Sequence, residues 1–153
     1  MKQLPKIRQI LENVKFEDSY RNISEKYSVD RDETFENHSY EKVLLILKSL
    51  DYNFKYNKRE RFYELNQSIN DYEFTFNISL KYGLVEFIWA LRKNKELITL
   101  GGPWAFIIRL LNHGKKTDIK KPSFKNYDAL ESILKESLSI YEEFKSEVIS
   151  LKL

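Results

Sequence analysis

Residues 71 to 92 alternate apolar and polar side chains so strictly that they predict a β-hairpin together with its register. Alternation with a period of two places the apolar side chains on one face of a strand and the polar ones on the other. The apolar positions are Tyr72, Phe74, Phe76, Ile78, Leu80 and Tyr82 in the first strand and Val85, Phe87, Trp89 and Leu91 in the second. A two-residue turn at Tyr82 and Gly83 sets Phe76 opposite Trp89 and Glu73 opposite Arg92. A slip of one residue would break this match, so the pattern specifies the register.

A shorter alternation predicts a first hairpin ahead of this one. Tyr52, Phe54 and Tyr56 are separated by polar residues, and residues 57 to 60 have the composition of a turn. This turn sets Phe54 opposite Tyr63 in the returning strand.

The segments around the two hairpins complete the predicted sheet. Residues 66 to 71 are polar and predict a loop, whereas residues 96 to 100 predict a short fifth strand. Gly101, Gly102 and Pro103 then predict the end of the sheet. Because the strands follow one another in the chain, we expect an antiparallel meander of about four to five strands.

Apolar residues at helical spacing predict helices on both sides of this meander. The predicted helices run from Leu4 to Phe16, from Tyr40 to Leu50 behind a Ser39 cap, from Pro103 to about residue 111, and from Tyr127 to Leu151. The polar segment 18 to 37 predicts a mostly irregular connection, in which Ile23 and Tyr27 indicate one short helical piece. Helices before and after a run of strands favour an α+β fold. We therefore expect N-terminal helices and two C-terminal helices packed mainly on one face of the sheet.

Composition limits the number of domains and the compartment. The 153 residues, 42% of them hydrophobic, suffice for one core, which predicts a single domain over residues 1–153. No window approaches the roughly eighteen consecutive apolar residues of a membrane span, and the N-terminus shows no apolar signal-peptide core. We expect a cytoplasmic protein without a membrane partner. The absence of cysteine excludes disulfides and thiolate metal sites.

The distribution of basic and aromatic residues makes nucleic acid an alternative partner. The 26 basic and 23 acidic side chains give a net charge of only +3, which argues against a dedicated nucleic-acid-binding protein. However, Lys55, Lys58, Arg59 and Arg61 alternate with aromatic residues in the first hairpin, as on a base-stacking platform. An accessory module that binds nucleic acid through this hairpin and the basic loop at residues 115 to 125 is therefore the alternative function.

Catalytic and metal-binding patterns are weak. The acidic segment 30 to 38 has the spacing of a calcium loop, but Phe35 occupies the position at which the sharp turn requires glycine. The histidines, His38 and His113, stand in no ligand or catalytic pattern, and Gly101 and Gly102 form no phosphate-binding motif. We expect a protein that is not an enzyme and that uses no metal or cofactor.

The polar face of the central hairpin is the candidate binding surface. It carries Glu73, Thr75, Asn77, Ser79, Glu86, Ile88 and Arg92, together with Leu84 and Ala90. A face left to water is normally polar throughout, and one covered by helices is apolar throughout. This mixture of aliphatic and charged groups is typical of a protein interface. The alternative is that the N-terminal helices cover this face.

The order of the elements resembles one class of known proteins. A helix is followed by a meander with the sequence FNISLKYGLVEFI at residues 76 to 88, by a Gly-Gly-Pro-Trp turn at residues 101 to 104, and by a long terminal helix. Over roughly residues 39 to 145 this arrangement resembles small bacterial immunity proteins. These are cytosolic inhibitors encoded beside polymorphic or contact-dependent toxins. The resemblance implies a non-catalytic α+β protein that neutralises a cognate toxin or effector by binding it.

Overall fold

The computed structural model describes residues 4–153, apart from the side chains of Thr99 and Leu100, and has the predicted α+β fold. The helices are α1 (Leu4–Asn13), α2 (Phe16–Lys26), α3 (Tyr40–Ser49), α4 (Trp104–Leu111) and α5 (Tyr127–Ser150). The strands are β1 (Lys55–Asn57), β2 (Phe62–Ile69), β3 (Tyr72–Ser79), β4 (Glu86–Lys93) and β5 (Glu96–Pro103). They form one antiparallel sheet in the order β1-β2-β3-β4-β5, which confirms the predicted meander.

The register of the central hairpin is confirmed, but its turn is longer than predicted. Phe76 lies opposite Trp89 and Glu73 lies opposite Arg92. Strand β3 ends at Ser79 and β4 begins at Glu86, and a 3₁₀ turn over Lys81–Gly83 lies between them. The backbone N–H of Val85 donates instead to the carbonyl of Pro122, at 2.8 Å. The chain near Pro122 thus protects the edge of β4 beyond the point where pairing with β3 ends.

The predicted register of the first hairpin is wrong by two residues. Tyr56, rather than Phe54, lies opposite Tyr63. The turn is displaced toward the C-terminus because Arg61 adopts a φ of 57° and its N–H donates to the carbonyl of Asn57, at 2.7 Å. A shift of two residues keeps every side chain on its predicted face.

Strands β2 and β5 are longer than predicted because polar residues and glycines continue the pairing. Residues 66 to 69 continue β2 instead of forming a loop, and Ser68 lies opposite Glu73. Strand β5 continues through Gly101 and Gly102 to Pro103, so the prediction that these residues end the sheet is wrong.

The helices pack on the face of the sheet that carries the large apolar side chains. Rings of α2 and α4 meet there, with the Phe16 and Trp104 centroids 5.0 Å apart and those of Trp104 and Phe87 4.4 Å apart. Phe144 of α5 stacks on Trp89 at 4.5 Å. Helix α1 packs against α2 and α5, and α3 packs against α5 and β1. The alternative in which the N-terminal helices cover the opposite face is therefore wrong.

Helix α2 replaces part of the predicted irregular connection. Lys15, with a φ of 52°, separates it from α1, and α2 buries Phe16, Tyr20 and Ile23. These three residues recur at i, i+4 and i+7, which is the spacing of one helix face.

Candidate functional site

The seven residues predicted to bind a partner lie together on the sheet face opposite the helices, which we call the open face. They are Glu73, Thr75, Asn77 and Ser79 of β3 and Glu86, Ile88 and Arg92 of β4. Cross-strand pairing places Asn77 beside Ile88 and Ser79 beside Glu86. Each of the seven is half-buried, as is Ala90 on the same face, whereas the β3 and β4 residues that alternate with them are buried under the helices.

Strands β2 and β5 extend this face beyond the predicted residues. Glu64, Asn66 and Ser68 of β2 lie beside β3, on the polar side of the face. On the other side, Leu97 lies opposite Arg92 and Pro103 opposite Ile88, and the side chain of Leu97 is 54% exposed. The open face thus has a polar half on β2 and β3 and a more apolar half on β4 and β5. Asn66 and Ser68 were missed because the composition of residues 66 to 71 predicts a loop.

The charged residues of the open face differ in whether they already form an ion pair within the protein. Glu86 forms an ion pair with Lys121, at 2.9 Å. Burial and, to a lesser degree, the charge of Glu86 raise the pKa of Tyr20 to about 12. Glu73 and Arg92 face each other across the strands, yet neither belongs to an ion pair within the described part of the chain. These two charges are available to a binding partner.

Asn77 occupies the centre of the open face with an acceptor that the protein leaves unused. It lies between Glu64 of β2 and Ile88 of β4. Its Oδ1 atom is buried and accepts no hydrogen bond from residues 4–153. An unpaired buried polar atom costs about 1–3 kcal/mol. A donor supplied by a partner would recover that cost.

The first hairpin does not present the aromatic platform that the nucleic-acid alternative requires. Phe54 and Tyr63 are buried. Tyr56 stacks on Tyr40 with centroids 4.7 Å apart, and the Tyr52 hydroxyl donates to Glu142 at 2.6 Å. These four rings contribute to the fold and do not form an exposed row on which successive bases could stack.

The acidic segment 30 to 38 folds against the loop that precedes α5. The N–H of Phe35 donates to the carbonyl of Phe124 at 2.9 Å, and the ring of His38 packs on both phenylalanines. Among residues 4–153, no three His, Cys, Asp or Glu side chains come together as metal ligands would. The segment supplies one wall of a pair of clefts.

These clefts flank Tyr82 at the end of the sheet where β3 turns into β4. The larger one, of about 940 Å³, is lined by residues that include Arg31, Lys120 and Lys121. The smaller one, of about 410 Å³, is lined by residues that include His38, Arg61 and Lys81. Glu36 and Tyr82 border both clefts. We call this region the tip site; sequence reasoning missed it because its walls come from four segments that are distant in sequence.

His38 makes the stability of this region depend on pH. Burial lowers its pKa below the usual value of 6.5. The folded state therefore binds a proton less readily than the unfolded state, and stability that is complete above pH 6.5 is lost as the pH falls toward the folded pKa. We predict that the loss of unfolding free energy between about pH 7.5 and about pH 5.5 is larger in the wild type than in His38→Gln. Urea unfolding at both pH values measures this difference, and equal losses in the two proteins would contradict the assignment.

None of the described helices combines the length and apolar character that crossing a bilayer requires. Comparison of the chain with protein-family models, with curated proteins and with solved structures finds no match. The chemistry available on the open face is that of recognition, through ion pairs, hydrogen bonds and apolar contact.

Proposed function

We propose that this chain is a non-catalytic immunity protein that binds a cognate bacterial toxin in the cytoplasm and occludes it with the open face. The observation that supports the proposal is the position of the seven residues that the sequence predicts to bind a partner. They form one continuous surface on the side of the sheet opposite the helices. Such a surface, part aliphatic and part charged, has the composition of a protein interface.

The open face offers each kind of contact that a stable complex needs. Ile88, Ala90 and Leu97 provide apolar contact that gains free energy when water is excluded. Glu73 and Arg92 are held on a rigid sheet and are free to pair with charges of the toxin. Asn77 offers a buried acceptor to a donor of the toxin.

Inhibition by occlusion requires no chemistry from this chain. A toxin whose active site or substrate groove is covered cannot reach its target. Glu73 and Glu86 support such a role because their carboxylates can take the place of an anionic substrate or pair with basic residues of the toxin. This proposal needs no metal or cofactor.

Co-expression tests the proposal. The reading frame adjacent to this one is expressed in bacteria under an inducible promoter, first alone and then with this chain. If the chain is an immunity protein, the neighbour arrests growth when expressed alone and growth recovers when both are expressed. A neighbour that is harmless, or lethality that persists in the presence of this chain, would contradict the proposal.

A further inference from the structure

We infer that the tip site is a second contact surface, which binds an acidic polypeptide segment with apolar side chains. This inference rests on the proposed function in one respect, namely that the segment belongs to the toxin that the open face binds. Three features of the tip site carry the inference: a fixed floor, an exposed aromatic ring, and a ring of cations.

The floor of the tip site is held by backbone hydrogen bonds between three segments that are distant in sequence. The N–H of Phe124 donates to the carbonyl of Gly83 at 3.1 Å, and the N–H of Ser123 donates to the carbonyl of Tyr27 at 2.9 Å. The N–H of Val29 donates to the Ser123 hydroxyl at 2.8 Å. A surface fixed in this way loses little conformational entropy when a ligand binds.

Tyr82 stands on this floor as an exposed aromatic residue between the two clefts. Its side chain is 73% exposed, and its φ of 60° is rare for a bulky residue. Unusual backbone conformations are concentrated at functional sites, where the surrounding structure imposes them. Tyrosine is also among the residues that contribute most to protein binding. The fold thus holds Tyr82 in a backbone conformation that the chain would not adopt without the surrounding contacts.

The charges around Tyr82 favour an anionic ligand. Arg31 and Lys120 line the larger cleft, and Arg61 and Lys81 line the smaller one. Lys121 is already paired with Glu86, and Glu36 is the carboxylate that borders both clefts. Each cleft therefore keeps two cations, and arginine binds carboxylates with paired hydrogen bonds.

The remaining lining selects a peptide over a nucleic acid. Val29 and Leu84 contribute apolar surface to the larger cleft, which suits an aliphatic side chain. Asp30 precedes Arg31, and Asp32 and Glu33 follow it; all three are exposed outside the lining of the clefts, so they interrupt the continuous positive track that a phosphate backbone requires. Separate cations around apolar clefts match carboxylates that are separated by apolar side chains.

The tip site adjoins the open face. Lys121 lines the larger cleft and pairs with Glu86 of the open face at 2.9 Å. A toxin that covers the open face therefore reaches the tip site directly, without a gap between the two surfaces.

Fluorescence anisotropy of the intact chain tests the inference. The probes are a labelled octapeptide of alternating Glu and Leu and a labelled eight-nucleotide single-stranded DNA, both at an ionic strength of about 20 mM. We expect the peptide to bind more tightly than the DNA. We also expect the double variant Lys81→Glu, Lys120→Glu to bind the peptide about tenfold or more weakly. The control is Lys48→Glu, Lys135→Glu, which changes the net charge equally through exposed lysines of α3 and α5.

Three results would overturn the inference: no binding of the peptide, tighter binding of the DNA, or an equal loss of affinity in the tip variant and the control variant. Tyr82→Ala keeps the charges of the tip site and removes the aromatic ring. We expect this variant to bind the peptide more weakly as well. Because the toxin is absent from this assay, its result stands apart from the growth experiment. If the chain restores growth but does not bind the peptide, the inference about the tip site is wrong and the proposed function stands.

Discussion

Replacement of Trp104 by alanine will lower the free energy of unfolding by about 3–5 kcal/mol, which is a large part of the stability of a domain of this size. Trp104 is 1% exposed and joins α4 to the sheet and to α2. Its ring lies 4.4 Å from that of Phe87, 5.0 Å from that of Trp89 and 5.2 Å from that of Tyr20. The substitution leaves a cavity that these three residues line together and cannot fill by small shifts.

Phe106 provides a matched control on the same helix. It is 46% exposed and lies two residues from Trp104 in α4. We expect Phe106→Ala to lower the free energy of unfolding by no more than about 1–2 kcal/mol, because water already reaches nearly half of this side chain. Urea unfolding followed by circular dichroism measures both variants. Similar losses in the two proteins would show that Trp104 does not occupy the centre of the core.

Replacement of Gly83 by alanine will cost about 2–4 kcal/mol, because the position combines a left-handed backbone with a close neighbour. The φ of Gly83 is +71°, and an added Cβ would lie 2.5 Å from Cβ of Thr34 and 3.0 Å from the backbone nitrogen of Phe35. The Phe35 N–H is fixed by its hydrogen bond to Phe124, so this wall cannot withdraw freely. The chain must therefore shift at the tip site itself.

Gly114 separates the two causes. Its φ is +87°, yet an added Cβ would meet no atom within 4 Å. Gly114→Ala should therefore cost only the conformational part, about 1 kcal/mol. Thermal or urea unfolding of both variants compares them directly. If Gly83→Ala is no more destabilising than Gly114→Ala, the close packing of the turn on Thr34 is contradicted.

The sequence predicts the fold best where two independent patterns agree. In the central hairpin, the alternation of β3 matches that of β4 pair by pair, so the register follows from the residues alone. The first hairpin has only a three-residue strand, β1, and its turn geometry at Arg61 decides the register. Helix α2 has an apolar face, but the many charged residues of this segment make its overall composition typical of a loop.

The open face was predictable because it is the other side of the same alternation. Each polar position of β3 and β4 follows from the core positions next to it. The tip site was not predictable in this way. Arg31, Lys81 and Lys120 come together only through the tertiary path of three loops, and no local pattern of residues encodes that path.

The affinity of the toxin for an altered open face is the decisive measurement. Ile88→Glu places a charge in the apolar half of the face, and Leu45→Glu makes the same change on α3, where Leu45 is 65% exposed. With the toxin that we propose as the partner, isothermal titration should show binding by Ile88→Glu that is weaker about tenfold or more, and binding by Leu45→Glu that equals the wild type. A folded Ile88→Glu protein that binds the toxin as tightly as the wild type would show that the open face is not the inhibitory surface.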